Sequence, residues 1–180
     1  MPEIPEHAEL DAIGHLFLAA QQGLSSFEHP VTIFLRACEA RAVGLWQKEG
    51  EDLVQLGYAS CPDMPPDVHR DFQEGTRRVS LSQTGLGIVR ATLTREPAVA
   101  TLDAVTTGLP GSAGWLARFG AIESLACPVL KPDGDVGWVF AVSADYRFER
   151  GNDHWNTVVG VADRLGKLLV PPVGIRRDVR

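Results

Sequence analysis

Three cysteines, Cys38, Cys61 and Cys127, are the residues of this sequence best suited to nucleophilic or redox chemistry. Their number is odd and no pair has the CxxC spacing, which argues against a disulfide framework and a cysteine-based zinc site. Cys127 lies in SLACPVLKPDGDVGWVFAVS, where Leu125, Cys127 and Val129 occupy alternate positions. This alternation is typical of a strand in which a free cysteine is a small apolar residue. We therefore expect reduced thiols and a core position for Cys127.

One irregularity beside Cys127 leaves a chemical role open. Pro128 cannot donate a hydrogen bond to a neighbouring strand, so we expect it at a bulge or facing a gap in the pairing. No His or Lys closely precedes Cys127 in the sequence to indicate an activated thiolate. A neighbour in space is the alternative source of activation.

A second group of residues with chemical potential lies between Asp103 and Arg118. The stretch DAVTTGLPGSAG is rich in Gly, Thr and Ser, and a long loop inside a compact domain is usually functional or mobile. Such a loop would close over a small ligand, with Trp115 stacking on it and Arg118 pairing with an anionic group. The alternative is a solvated loop whose tryptophan fills the core. The candidate ligand-binding residues are Trp46, Phe72, Asp103, Thr106, Trp115, Arg118 and Cys127.

The elements that position these residues begin and end with helices. Apolar residues spaced by three and four predict a helix from Glu6 to Leu24 and a final helix capped by Asn152 or Asp153. A second helix is predicted from about Pro30 to Glu39. The stripes of the two end helices are Leu10, Ile13, Phe17, Ala20 and Leu24, and Trp155, Val158, Ala162, Leu165 and Leu169.

Short alternating strands lie between these helices. RAVGLWQ and LVQLGYA predict one hairpin, and the stretch around Cys127 predicts another, turned by Pro132, Asp133 and Gly134. PPDVHRDFQEG predicts a helix, RRVSL and PAVATL predict short strands, and TGLGIVRATLTRE predicts a helix capped by Thr84 with Leu86, Val89 and Leu93 on one face. Because four of the six strands pair through tight turns, we expect an α+β fold, an antiparallel sheet with helices on its faces.

The composition restricts the classes of partner. A formal charge of −6 gives no general attraction for nucleic acid or anionic lipid. No apolar run reaches ~18 residues, and the acidic start MPEIPEHAEL is unlike a signal peptide. We expect a cytoplasmic protein that binds neither nucleic acid nor membrane.

This order of elements resembles the GAF domains, a family of small ligand-sensing modules related in architecture to PAS domains. The resemblance rests on RAVGLWQKEGEDLVQLGYA, RRVSLSQTGLGIVRATLTREPAVATLD, GWLARFGAIESLACPVLKPDGDVGWVFAVS and FERGNDHWNTVVGVADRLGKLL, which lie within residues 30–170. It implies a central six-stranded antiparallel sheet flanked by helices on both faces, and N- and C-terminal helices that pack together. It also implies a pocket between one sheet face and the segment 84–120.

Members of this family differ in ligand and chemistry. Bilin-binding members have a cysteine near the short helix after the long loop, and GWLARFG has none. Haem-binding members supply a proximal histidine, for which the candidates within the domain are His69 and His154. We therefore predict no cofactor and no metal. Members that reduce free methionine-R-sulfoxide place their cysteines between the third strand and the second hairpin, and residues 62–126 contain no cysteine.

The sequence thus predicts a sensory or regulatory GAF-type domain without catalysis, which binds an unidentified small molecule. We assign 1–28 to an N-terminal helix, 29–170 to the GAF domain and 171–180 to a tail or linker. We expect a homodimer through the end helices and a separate signalling partner, although the final helix can equally bury its stripe on its own sheet. The alternatives are a methionine-R-sulfoxide reductase that uses Cys127 and a ligand-free scaffold for protein interaction, its pocket filled by Trp115 and Trp138.

Overall fold

The computed structural model describes residues 7–169, which form one antiparallel sheet between two layers of helices. The predicted tail 171–180 lies outside the described residues. The helices are α1 (His7–Gln21), α2 (Glu28–Ala37), α3 (Pro66–Gly75), α4 (Gly87–Thr94), α5 (Ala104–Thr107), α6 (Pro110–Phe119) and α7 (Asp153–Leu168). The strands are β1 (Ala42–Glu49), β2 (Asp52–Ser60), β3 (Arg78–Ser80), β4 (Ala98–Thr101), β5 (Glu123–Leu130) and β6 (Val136–Ala144).

The sheet has the strand order β3-β2-β1-β6-β5-β4, and every neighbouring pair is antiparallel. The two predicted hairpins are β1–β2 and β5–β6, and they meet at the centre of the sheet where β1 pairs with β6. A bulge opposite Leu45 and Trp46 places an extra residue in β2. The predicted six-stranded α+β architecture is confirmed.

One sheet face is covered by α1, α2 and α7. Phe17 of α1, Phe34 of α2 and Phe140 of β6 are fully buried and meet edge to face, with centroids 5.2 to 6.5 Å apart. Edge-to-face contacts of this kind add to the free energy of burying the rings. Because α1 and α7 contact each other and the sheet, most of their apolar stripes, although not Leu24, are buried within the chain itself. A dimer formed through these helices would therefore use their polar faces.

Three details of the predicted helices are wrong. Leu24 is 76% exposed, because α1 ends at Gln21 and the chain turns at Gly23. Leu93 is 55% exposed on the outer side of α4. Thr84 is not the cap of α4, which begins at Gly87 and has no side-chain cap.

The predicted long loop after β4 is instead largely helical. Asp103 caps α5 by accepting hydrogen bonds from the backbone amides of Val105 and Thr106, at 3.1 and 3.2 Å. Gly108 ends α5 with a positive φ of 64°, and Pro110 occupies the first turn of α6. Asp, Gly and Pro at these positions are ordinary helix signals. We predicted a loop because the same residue types also mark turns.

Pro128 pairs with Val139 of β6, while β4 begins at Ala98, opposite Ala126. Pro128 therefore lies beyond the end of β4, and the expected gap in the pairing is present. No helix within residues 7–169 is long and apolar enough to cross a membrane.

Candidate functional site

The second sheet face is covered by α3, α4 and α6, and a small cavity lies beneath them. The cavity has a volume of about 40 Å³, which is room for about two or three water molecules. It lies between the sheet and the segment 84–120, where the family resemblance places a pocket. Four of its lining residues are aromatic, and most of the others are small or polar.

Aromatic rings form one side of the cavity. Phe72 of α3 is at the centre, with ring centroids 6.1 Å from Trp46, 4.9 Å from Trp115 and 5.0 Å from Phe119. All three contacts are edge to face. Such a cluster excludes water from one side of a bound molecule and offers it ring faces and edges.

Trp46 is held in place by the end of α3. Its indole Nε1 donates to the carbonyl of Thr76 at 2.8 Å, and the Thr76 hydroxyl donates to the carbonyl of Phe72 at 2.7 Å. Gln55 Nε2 donates to the same hydroxyl at 3.0 Å. These bonds satisfy the buried indole and fix one wall of the cavity relative to the sheet.

The opposite wall is a close approach of α4 and α6. The Ser112 hydroxyl accepts a hydrogen bond from the Gly87 amide at 2.8 Å, and the amides of Gly111 and Ser112 both donate to the carbonyl of Gly85. A Cβ on Gly111 would lie 2.9 Å from Leu86, closer than real Cβ contacts. A larger residue at this position would require Leu86 or the Gly85 carbonyl to shift, so glycine allows the close contact of the two helices.

Two serines on the sheet give the cavity its polar character. Ser124 of β5 and Ser143 of β6 are cross-strand partners, 8% and 7% exposed. Neither hydroxyl makes a hydrogen bond with another described residue, and both serines line the cavity. Their oxygens are not fully enclosed, since Tyr58 has the one fully buried unpaired side-chain oxygen of the described residues. The pair is therefore open to a polar group of a ligand or to bound water.

An ion pair lies beside Trp115 of the cavity wall, at the side of the cavity that we take as its mouth. Arg118 of α6 donates from Nη2 to Asp71 of α3 at 2.7 Å, and its guanidinium lies 4.9 Å above the ring of Trp115. The guanidinium holds the pKa of Asp71 below its usual range. These contacts join α3 and α6, which both contribute residues to the cavity wall.

Of the predicted binding residues, Trp46, Phe72 and Trp115 line the cavity and Arg118 lies at its mouth. Asp103 and Thr106 lie elsewhere, on exposed α5, where the carboxylate caps the helix and accepts from the Thr106 hydroxyl. Those bonds lower the pKa of Asp103. Whether any of these residues binds a ligand stays a prediction.

Cys127 faces the other side of the sheet, beside Leu125 and Val129 and toward α7. Burial, with a smaller contribution from Asp163, raises the pKa of its thiol to about 12. Burial also raises the pKa values of Cys38 and Cys61. A raised pKa keeps a thiol protonated and weakly nucleophilic near neutral pH.

Sequence reasoning missed Ser124, Ser143 and Thr76. For the two serines the available signal was a polar residue at an inward position of a strand that is otherwise apolar. Trp138, proposed as a possible pocket filler, lies on the opposite face against Phe27, with ring centroids 5.5 Å apart. Within residues 7–169 no cluster of three or more His, Cys, Asp or Glu is arranged to hold a metal ion.

The antiparallel sheet, its helix layers and the position of the cavity define a GAF-domain fold. No family model and no curated protein matches the sequence. Similarity to solved structures is extensive, and the GAF domain of nlh2 from A. aeolicus in an inactive state is one example. It superposes with a TM-score of 0.59 at 12% identity, over 88% of this chain and 94% of that one.

Two other structures show the functional range of this fold. The phycoerythrobilin-bound GAF domain of a cyanobacterial phytochrome has a TM-score of 0.59 at 8% identity, covering 87% of this chain and 92% of that one. A type II free methionine-R-sulfoxide reductase from Thermoplasma acidophilum has a TM-score of 0.51 at 15% identity, covering 88% and 93%. At such identities the likeness establishes the fold alone.

Proposed function

We propose that this protein is a GAF-type sensory domain that binds a small molecule in the cavity beneath α4 and α6 and has no catalytic activity of its own. The observation that carries the proposal is the pair Ser124 and Ser143, two nearly buried hydroxyls without partners that line an otherwise aromatic and apolar cavity. A few directed polar groups in an apolar wall are typical of small-molecule sites.

The ligand enlarges the cavity by moving α6 away from α3. The ion pair between Arg118 and Asp71 is surface-accessible and breaks at small cost, so the mouth is the adjustable part of the site. The floor is the rigid part, because Trp46 is fully buried and hydrogen-bonded.

The signal leaves the site through β5. Ser124 lines the cavity, while the next residue, Leu125, and Cys127 pack on the opposite face in the cluster that includes α7. A ligand that displaces β5 changes the packing of α7, and through it of α1. A shift in the populations of two such packings is then read by a second subunit or by a separate signalling protein.

The first test is native mass spectrometry of the purified full chain beside the same sample denatured. We expect an added mass that disappears on denaturation, and the native spectrum also gives the number of subunits. Ser124→Val fills the cavity with a β-branched side chain and should abolish the added mass. Ser82→Ala, on an exposed turn, is the control and should retain it.

A bare native mass in the wild type favours a ligand-free scaffold that acts in protein interaction. The packing of the aromatic rings supports that alternative. Phe72 already contacts Trp46, Trp115 and Phe119, so these rings fill space that a ligand would otherwise occupy.

The enzymatic alternative is favoured by the similarity to methionine-R-sulfoxide reductases. It predicts oxidation of NADPH with free methionine-R-sulfoxide in the presence of thioredoxin and its reductase, lost in Cys127→Ser. We expect no turnover, because Cys127 is buried on the face away from the cavity and its thiol pKa is about 12. Turnover by the wild type would replace the sensor proposal.

A further inference from the structure

A second candidate site lies at the outer edge of β2. A groove of about 560 Å³ lies between α2 and α3, with Tyr58 and Ser60 of β2 among its lining residues. We propose that this groove binds a small molecule carrying a carboxylate or phosphate group. The groove shares no lining residue with the cavity beneath α4 and α6, although the ring of Tyr58 lies 4.8 Å from the ring of Phe72 in the cavity wall.

The edge of β2 is open along the groove. β3 pairs only with residues Asp52 to Val54, so the outer side of the last residues of β2 has no neighbouring strand. The Cys61 amide donates to the backbone carbonyl of Arg41, on the β1 side, at 2.9 Å. Since backbone groups alternate in direction along a strand, those of Tyr58 and Ser60 point to the open edge. Outward amides of this kind are hydrogen-bond donors for an anion.

The helix on one side of the groove supplies positive charge. His29, Thr32 and Arg36 recur at helical spacing along α2 and all line the groove. Arg36 is exposed and forms no ion pair or side-chain hydrogen bond with another described residue. An unpaired guanidinium is the side chain best suited to a carboxylate or phosphate. Glu28, at the first turn of α2, is the acidic residue of the groove, so the anion is directed toward Arg36.

The groove also contains two hydroxyls and an imidazole close together, those of Tyr58, Ser60 and His69. The Ser60 hydroxyl lies 2.7 Å from Nδ1 of His69. Tyr58 is 2% exposed, and its buried hydroxyl has no hydrogen-bond partner among the described residues. Ser60 nevertheless lies close enough to act on the pKa of this hydroxyl. A buried hydroxyl without a partner is costly, and a ligand oxygen at the floor of the groove would remove that cost.

The test is a titration of the ¹⁵N-labelled full chain with inorganic phosphate and, separately, with acetate, at constant ionic strength maintained with chloride. We expect saturable shifts of the amide signals of Tyr58 and Ser60 and of the ring signals of His69. Arg36→Gln should weaken the binding by about tenfold, as expected for loss of a hydrogen bond to a charged group. The relative affinities of phosphate and acetate identify which anionic group the site prefers.

Arg147→Gln is the matched control, because Arg147 is also exposed and lies outside the groove, beyond β6. It should leave the affinity unchanged. Ser60→Ala is a second variant at the floor of the groove and should weaken the binding while the spectrum elsewhere stays that of the wild type. Shifts that do not saturate, that match those caused by chloride alone, or that persist unchanged in Arg36→Gln would overturn the proposal.

Discussion

Arg118 and Asp71 form the one close polar contact between α6 and α3 within residues 7–169, with Nη2 and Oδ2 2.7 Å apart. The same guanidinium covers the ring of Trp115, which lines the cavity. The ion pair therefore links two helices of the cavity wall, at the proposed mouth of the site. In the proposed sensor its strength controls how often the cavity opens.

Asp71→Asn should accelerate the opening of this mouth. The substitution removes the charge that holds Arg118 over Trp115, and exposed pairs of this type are weak, so we expect amide exchange in α6 to rise by about two- to fivefold. Hydrogen exchange followed by mass spectrometry measures it. Asp135→Asn breaks a more exposed pair with Arg95, whose residues do not line the cavity, and should leave exchange in α6 unchanged. Equal effects of the two variants would argue against a role for Arg118 at the mouth.

Gly111 and Gly114 lie on the same helix and should respond oppositely to alanine. A Cβ at Gly111 would lie 2.9 Å from Leu86 and 3.1 Å from the Gly85 carbonyl, whereas a Cβ at Gly114 meets nothing within 4 Å. Gly111→Ala should therefore lower the free energy of unfolding by about 1–3 kcal/mol, because α6 is pushed from α4. Gly114→Ala should raise it by about 0.5–1 kcal/mol through helix propensity. Urea denaturation measures both values.

If Gly111→Ala is neutral, then α6 moves away from α4 without cost. That result would identify the contact of α4 with α6, rather than the ion pair of Arg118, as the adjustable part of the cavity wall.

The loss of stability at acid pH should depend on Asp63. Nη1 of Arg41 donates to both Asp63 carboxylate oxygens, at 2.9 and 2.8 Å, and lowers the pKa of Asp63 from 3.8 to about 2. A group whose pKa is lower in the folded than in the unfolded protein stabilises the fold at pH values above its unfolded pKa. This stabilisation is lost as the pH falls through its folded pKa. The difference in urea midpoint between wild type and Asp63→Asn should thus be constant down to about pH 4 and disappear near pH 2.

Glu96→Gln is the control for this pH dependence. Glu96 is exposed and makes no ion pair in the described part of the chain, so its midpoint should follow that of the wild type at every pH. A difference between wild type and Asp63→Asn that grows toward acid pH would contradict the assignment.

The sheet was predictable from the sequence because alternation decides which face a residue occupies. Leu125, Cys127 and Val129 were expected on one side and lie together there, since a strand repeat of two leaves little freedom once one face is buried. The same argument would have placed Ser124 on the other face. It was not drawn because a serine in a strand gives no sign of whether water or protein covers it.

The segment after β4 was less predictable because its residue types have two uses. Asp103, Gly108 and Pro110 act here as a helix cap, a helix end and a helix start, but the same residues are typical of turns. Neither the contact of Arg118 with Asp71 nor the Ser124 and Ser143 pair is local in sequence. Contacts of this kind depend on the packing of whole elements, which periodicity does not specify.

Tyr58 and Tyr146 should respond oppositely to the loss of a hydroxyl. The Tyr146 hydroxyl donates to the carbonyl of Cys38 at 2.6 Å. The buried Tyr58 hydroxyl has no hydrogen-bond partner among the described residues, and burial raises the pKa of Tyr58 to about 12. Tyr58→Phe should raise the free energy of unfolding by about 1 kcal/mol, because it removes an uncompensated polar group. Tyr146→Phe should lower it by about 1 kcal/mol.

Urea denaturation in phosphate-free buffer measures these two values, with unchanged m-values as evidence that the native fold is retained. If Tyr58→Phe destabilises the protein as Tyr146→Phe does, the Tyr58 hydroxyl has a hydrogen-bond partner in solution. It is then not free to bind a ligand in the β2 groove. If Tyr58→Phe stabilises the protein and also weakens phosphate binding, the hydroxyl is kept unpaired for the ligand. Stability lost to keep a polar group free for binding is a common property of functional sites.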